Sequence, residues 1–156
     1  MMAAAVPVVR VTAELLVECD LPESLDAIAL HDAAGRAVAA AGVPSDAHLT
    51  VSLVDSARMA ELKLQAFGVH HATDVLAFGV DDPRDPGPGP FVLGDVFVCP
   101  EVAVRQARAL GVPPLHEVTT LIAHGVLHLL GHAHGTPDDE RAMVRAQDRV
   151  REEALA

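Results

Sequence analysis

Residues 121–135 read LIAHGVLHLLGHAHG, a segment that holds four of the chain's nine histidines in an otherwise apolar run. Leu127, Leu129 and Leu130 belong in a core, and imidazoles among them must be hydrogen-bonded, paired or bound to a metal. The apolar spacing over 116–130 predicts a long central helix, closed by Gly131. On that helix His124 and His128 stand one turn apart on one face. Gly131 permits the backbone to double back, and His134 can then swing towards the same point. Three imidazoles converging in this way suit Zn²⁺, bound through neutral ring nitrogens. Three protein ligands leave a fourth tetrahedral position for water, the catalytic rather than the structural pattern. One zinc per chain on His124, His128 and His134 is therefore expected.

The spacing H-x3-H-x2-G-x2-H matches the metzincin zinc motif except at one position. Those metalloproteases carry a glutamate general base directly after the first histidine, where this chain has Gly125. A glycine can neither take a proton from water nor pass one to an amine, so the ligand set persists without the proteolytic base. His132 is a weak candidate for proton transfer. His70 and His71 sit in a turn before Thr73, and His31, His48 and His116 have no partner that the sequence identifies.

The remaining segments define one α+β domain over 1–156, a small mixed four-stranded sheet packed with about five helices. Strands are expected at 6–11 (VPVVRV), 48–54, 73–80 and 91–99, where β-branched or alternating patterns lie between turn residues. Helices are expected at 22–41, opening at Pro22, at 55–67 with Asp55 as N-cap, at 100–110, at 116–130 and at 137–155. The stretch DDPRDPGPGP (81–90) is a connection between strands. No run approaches the roughly 18–20 apolar residues of a membrane span. The N-terminal segment lacks a basic region before its apolar run, so a cytoplasmic protein without a signal peptide is expected. Two cysteines, Cys19 and Cys99, make no disulfide framework and fit a reducing compartment.

At these residues the chain resembles the YbeY family, single-domain bacterial endoribonucleases linked to rRNA maturation and 30S quality control. The family pattern H-G-x-L-H-L-x-G-Y-D-H is met at His124, Gly125, Leu127, His128, Leu129, Gly131 and His134. TDVLAF (73–78) is similar to the family's T-D-V-L-S-F, and LGDVFVCPEVA (93–103) to L-G-D-I-x-I-x-P-E. HEVTTLIAHG fits E-x-x-x-L-x-x-H-G through Glu117. The resemblance implies a zinc-dependent hydrolase cutting single-stranded RNA, with ribosomal RNA and the small ribosomal subunit as partners. It implies neither a membrane nor a small organic cofactor. Two departures stand out. The family's Tyr-Asp is His132-Ala133 here. The family's N-x-x-x-R element, whose arginine serves RNA cleavage, falls on Lys63 and Phe67, so a guanidinium that would grip phosphate is replaced. Lys63 is a weak stand-in as a point charge. No residue identifies itself as the general base.

A net charge of −11 opposes nucleic-acid binding unless local basic groups outweigh it. Arg141, Arg145 and Arg149 recur every four residues on the last helix, with Arg105 and Arg108 on the preceding amphipathic one. They form either a basic ridge towards RNA or a solvated face paired with Asp148, Glu152 and Glu153. A substrate groove is expected to include Thr73, Asp74, Asp95, Arg141 and Arg145. A non-catalytic, metal-stabilised ribosome-assembly factor is the alternative function, and a metalloprotease-like hydrolase a third.

Overall fold

Strands and helices interleave along the chain: β1 (Thr12–Val17), α1 (Ala27–Ala40), β2 (Ala47–Leu53), α2 (Ser56–Phe67), β3 (Val75–Gly79), β4 (Phe91–Val98), α3 (Pro100–Leu110), α4 (Pro114–Leu129) and α5 (Pro137–Leu155). The computed structural model describes residues 12–44, 46–71, 73–85, 91–132 and 135–156. The strands form one mixed sheet in the order β1-β2-β4-β3, in which β1, β2 and β4 run parallel and β3 is antiparallel to β4. Among the described residues, the α+β architecture with four strands and five helices is as expected.

The first described strand follows the segment where the pattern placed one. Residues 6–11 lie outside the described residues, and β1 is formed by TAELLV, a stretch rich in helix-forming residues. It pairs in register with β2 from Thr12↔His48 to Val17↔Leu53. Ala13 and Leu15 pack against the core while Glu14 and Leu16 are exposed, so a half-buried pleated environment overrides intrinsic preference.

Local chemistry moves three other boundaries. The helix expected from residue 22 begins at Ala27, because Asp26 accepts from the Ala29 N–H at 2.9 Å and outcompetes Pro22 as a start signal. Pro22 instead opens a turn in which the Leu25 N–H donates to its carbonyl. α4 begins two residues before 116, with Pro114 at its first position. β3 begins at Val75, next to Asp74, whose carbonyl accepts from the Cys99 N–H at 3.0 Å and whose carboxylate accepts from the Val75 N–H at 2.8 Å. α2 follows its expected form, capped by Asp55 and ended by Gly68 at φ 74°.

Alternation along the strands divides the apolar residues. Val75, Ala77, Val96 and Val98 face the main core, which contains Val118, Ile122 and Val126 of α4. Leu76, Phe78 and Phe97 face a smaller cluster with Met59 of α2 and Cys99. Both cysteines are free, and burial pushes the Cys19 thiol up to about 11, so it carries no thiolate near neutrality.

Candidate active site

α4 approaches the sheet through a glycine. A Cβ on Gly125 would lie 2.5 Å from Val96 Cγ1 and 3.1 Å from Cγ2, with Val75 Cγ2 at 3.4 Å. The helix axis can come this close only because position 125 has no side chain. A glutamate, the proteolytic base of the metzincin pattern, has no room there. His124 and His128, on the adjoining face, open into one pocket of about 180 Å³ with Gly125, Phe67 and Val75–Ala77 of β3. His128 is exposed and His124 half-buried.

His124 is held from α5. Its Nδ1 lies 2.9 Å from Gln147 Oε1, and an amide oxygen only accepts, so Nδ1 carries the proton. That tautomer keeps the Nε2 lone pair in the ring plane, the form in which imidazole binds a metal. Gln147 lies on the stripe of α5 that otherwise buries Met143, Val150 and Ala154. A polar residue at apolar spacing is the sequence signal that could have identified it.

The helix end behaves as the glycine at 131 foretells. Gly131, at φ 95°, donates to the His128 carbonyl at 3.0 Å, and the His132 N–H donates to the Leu127 carbonyl at 3.1 Å. This crossed pair is the Schellman arrangement, which reverses the chain after α4. His132 is exposed at this turn, and His134 lies outside the described residues. Among the described residues no three His, Cys, Asp or Glu side chains gather at one point.

On its other side His124 borders a cavity of about 420 Å³ that also meets Asp74, His116, Glu117, Gln147 and Arg151. Glu117 is 7% exposed. Burial raises its carboxyl above the ordinary range, and the nearby Asp74 charge adds to the effect. Burial, with help from the Arg151 guanidinium, lowers the His116 ring below its usual value. The buried His116 Nδ1 has no hydrogen-bond partner among the described residues. Arg151 donates to Asp148 at 2.9 Å, and Gln106 Nε2 donates to Asp74 Oδ2 at 3.2 Å.

The expected groove residues do not all assemble. Asp74 reaches the histidine region, with the Thr73 hydroxyl donating to its carboxylate at 3.4 Å. Asp95 pairs with Phe78 across the ladder, which places it on the sheet face opposite α4. Arg141 and Arg145 border a recess on α5 with Glu140 and Val144, which also line a cavity with His124 and Gln147. Arg141 pairs with Asp138, and Arg149 with Glu153 at 3.3 Å, so these two positions of the ridge are locally neutralised. Lys63 is half-buried one turn before Phe67 on α2. Phe67, at the position where the resemblance expects an arginine, is 59% exposed rather than part of the core.

A family model described as Endoribonuclease YbeY matches residues 22–154. Relatives named Endoribonuclease YbeY include one from Mycobacterium ulcerans, 45% identical over 116 residues covering 70% of this chain and 65% of that protein. Another, from Mycobacterium tuberculosis, is 44% identical, covering 70% of this chain and 66% of that protein. The chain thus spans about 65% of the length of the mycobacterial relatives it matches. A Thermotoga maritima protein solved in solution superposes with a TM-score of 0.64 at 27% identity, covering 92% of this chain and 89% of its own.

Proposed function

Because this chain belongs to the YbeY endoribonuclease family, we propose that it is a zinc-dependent endoribonuclease that cuts single-stranded RNA in the cytoplasm. It acts in ribosomal RNA maturation and in quality control of the small ribosomal subunit. The observation that carries this reading is the pair His124 and His128, opening into one pocket from successive turns of α4 while Gln147 holds the His124 tautomer. These donors fit zinc, and His124, His128 and His134 would hold it. Bound zinc supplies Lewis acidity, polarising a phosphoryl oxygen and acidifying water. The chain itself orients His124 through Gln147 and reverses direction at Gly131. It accepts an unpaired strand in the pocket between α4, β3 and Phe67. Absence of space for a carboxylate at Gly125 argues against proteolysis.

A non-catalytic, metal-stabilised ribosome-assembly factor is the second reading, favoured by the replacement of the arginine with exposed Phe67. The readings separate when pure protein, of measured zinc content and free of a histidine tag, is incubated with single-stranded RNA and with casein, with and without a chelator. The endonuclease reading expects about one zinc per chain, chelator-sensitive cutting of RNA and intact casein. Zinc-loaded protein that binds RNA without cutting it leaves the assembly factor. Cleaved casein rejects both.

A further inference from the structure

Phe67 is the exposed member of a row of three aromatic rings. Its ring stacks on Phe78 with centroids 6.3 Å apart and planes inclined by 22°, and Phe78 meets Phe97 edge-on at 5.7 Å. Phe78 and Phe97 anchor the row in the smaller apolar cluster, while Phe67 is 59% exposed. The chain has four phenylalanines and neither tryptophan nor tyrosine, and it places this ring in the wall of the histidine pocket.

The rest of that wall is informative. Three successive residues of β3, Val75, Leu76 and Ala77, line the pocket. Successive strand side chains leave on opposite faces, so such a run presents a backbone edge. β3 is the outer strand of the sheet, and the outward N–H and C=O groups of an outer strand have no strand partner. Although the chain carries a net charge of −11, none of the described residues lining this pocket is a carboxylate. The pocket therefore combines a flat apolar face with a hydrogen-bonding edge, and the one acid bonded to that edge, Asp74, holds the Val75 N–H at 2.8 Å among the described residues.

Resting on the endoribonuclease reading, we propose that Phe67 is a stacking platform for one unpaired nucleobase of single-stranded RNA, seated beside His124 and His128. A nucleobase is apolar on its faces and hydrogen-bonding along its rim, which matches the ring and the strand edge of the wall. An arginine at this position grips phosphate. A phenyl ring grips the base, and so shifts recognition from backbone charge to the availability of an unstacked base. Stacking tolerates any base because each has a π-face, so the platform selects unpaired over paired RNA.

The probe is a single-stranded oligoribonucleotide carrying one 2-aminopurine at successive positions. Its fluorescence is followed by stopped flow on the zinc-loaded protein, so that binding is read before turnover. Wild type is expected to quench the probe at one position. Phe67→Ala is expected to weaken binding roughly 5- to 150-fold and to abolish the quenching, with unchanged zinc content and only a small fall in Tm, because the ring is 59% exposed and loses its stacking on Phe78. Phe67→Trp should retain both signals, and Phe67→Leu, of similar bulk, should behave like alanine. A wild type that binds and cuts RNA while Phe67→Ala or Phe67→Leu binds and quenches equally well overturns the stacking platform and leaves the endoribonuclease reading intact. A wild type that neither binds nor cuts RNA overturns both.

Discussion

His124 donates its Nδ1 proton to Gln147 across 2.9 Å, and the consequence is testable on the metal rather than on turnover. Losing the partner that orients a metal-binding histidine typically costs 10- to 100-fold in metal affinity. Gln147→Leu is therefore expected to lower zinc affinity by about that factor in chelator competition, with little change in the Tm of the zinc-free protein. Gln147→Glu keeps an acceptor oxygen and should restore most of the affinity. A leucine variant that holds zinc as tightly as wild type removes Gln147 from the site. The shared pocket of His124 and His128 was legible in the sequence because i, i+4 spacing on a helix is a local property. Gln147, on a different helix, was not, because nothing local says which face of α5 meets α4. Phe67 was legible as a departure from the family pattern, and its exposure was not, since an apolar residue at a helix end reads equally well as core.

At the scale of the elements, α4 presses on the sheet at Gly125 and carries a buried acid at Glu117. Alanine at 125 would gain up to about 1 kcal/mol of helix propensity. It would also place a methyl 2.5 Å from Val96 Cγ1, and overpacking typically costs about 1–3 kcal/mol. Gly125→Ala is expected to lower Tm by roughly 2–4 °C for each kcal/mol of net loss, and Val96→Ala in the same chain should recover part of it. A Gly125→Ala protein more stable than wild type would mean that α4 sits further from β4. Glu117, with its carboxyl raised in the folded state, stabilises the fold fully below its unfolded value near 4.5. That contribution is lost as pH rises through the folded value. Glu117→Gln should therefore melt higher than wild type at pH 7 and converge with it near pH 4. Destabilisation by glutamine at pH 7 would show that the charged carboxylate has a partner. The strand and helix order was legible from pattern and punctuation. β1 was not, because Ala-Glu-Leu-Leu favours a helix until β2 offers it a parallel ladder.

For the whole molecule, charge and architecture act together. The net charge of −11 and the ion pairs of Arg141 and Arg149 leave few cations for phosphates. Affinity that comes from a stacked base rather than from released counterions should depend weakly on salt. A plot of log affinity against log salt is expected to have a slope no steeper than about −2, or roughly three phosphates on a single strand. A slope near −5 would assign binding to an arginine surface instead. α5 packs on both α1 and α4, with Arg149 donating to the Ala40 carbonyl at 3.4 Å as it passes α1. The helix that covers α1 is thus the one that supplies Gln147 to His124. During translation, a chain extended only through α4 has His124 without its Gln147 oxygen and an α1 that packs on α4 but not yet on α5. Closure of the fold and full affinity for the proposed metal then arrive in one event, when α5 docks. In the proposed reading, this timing leaves a half-made molecule weaker in metal, and so less able to cut the RNA of the ribosome that is translating it.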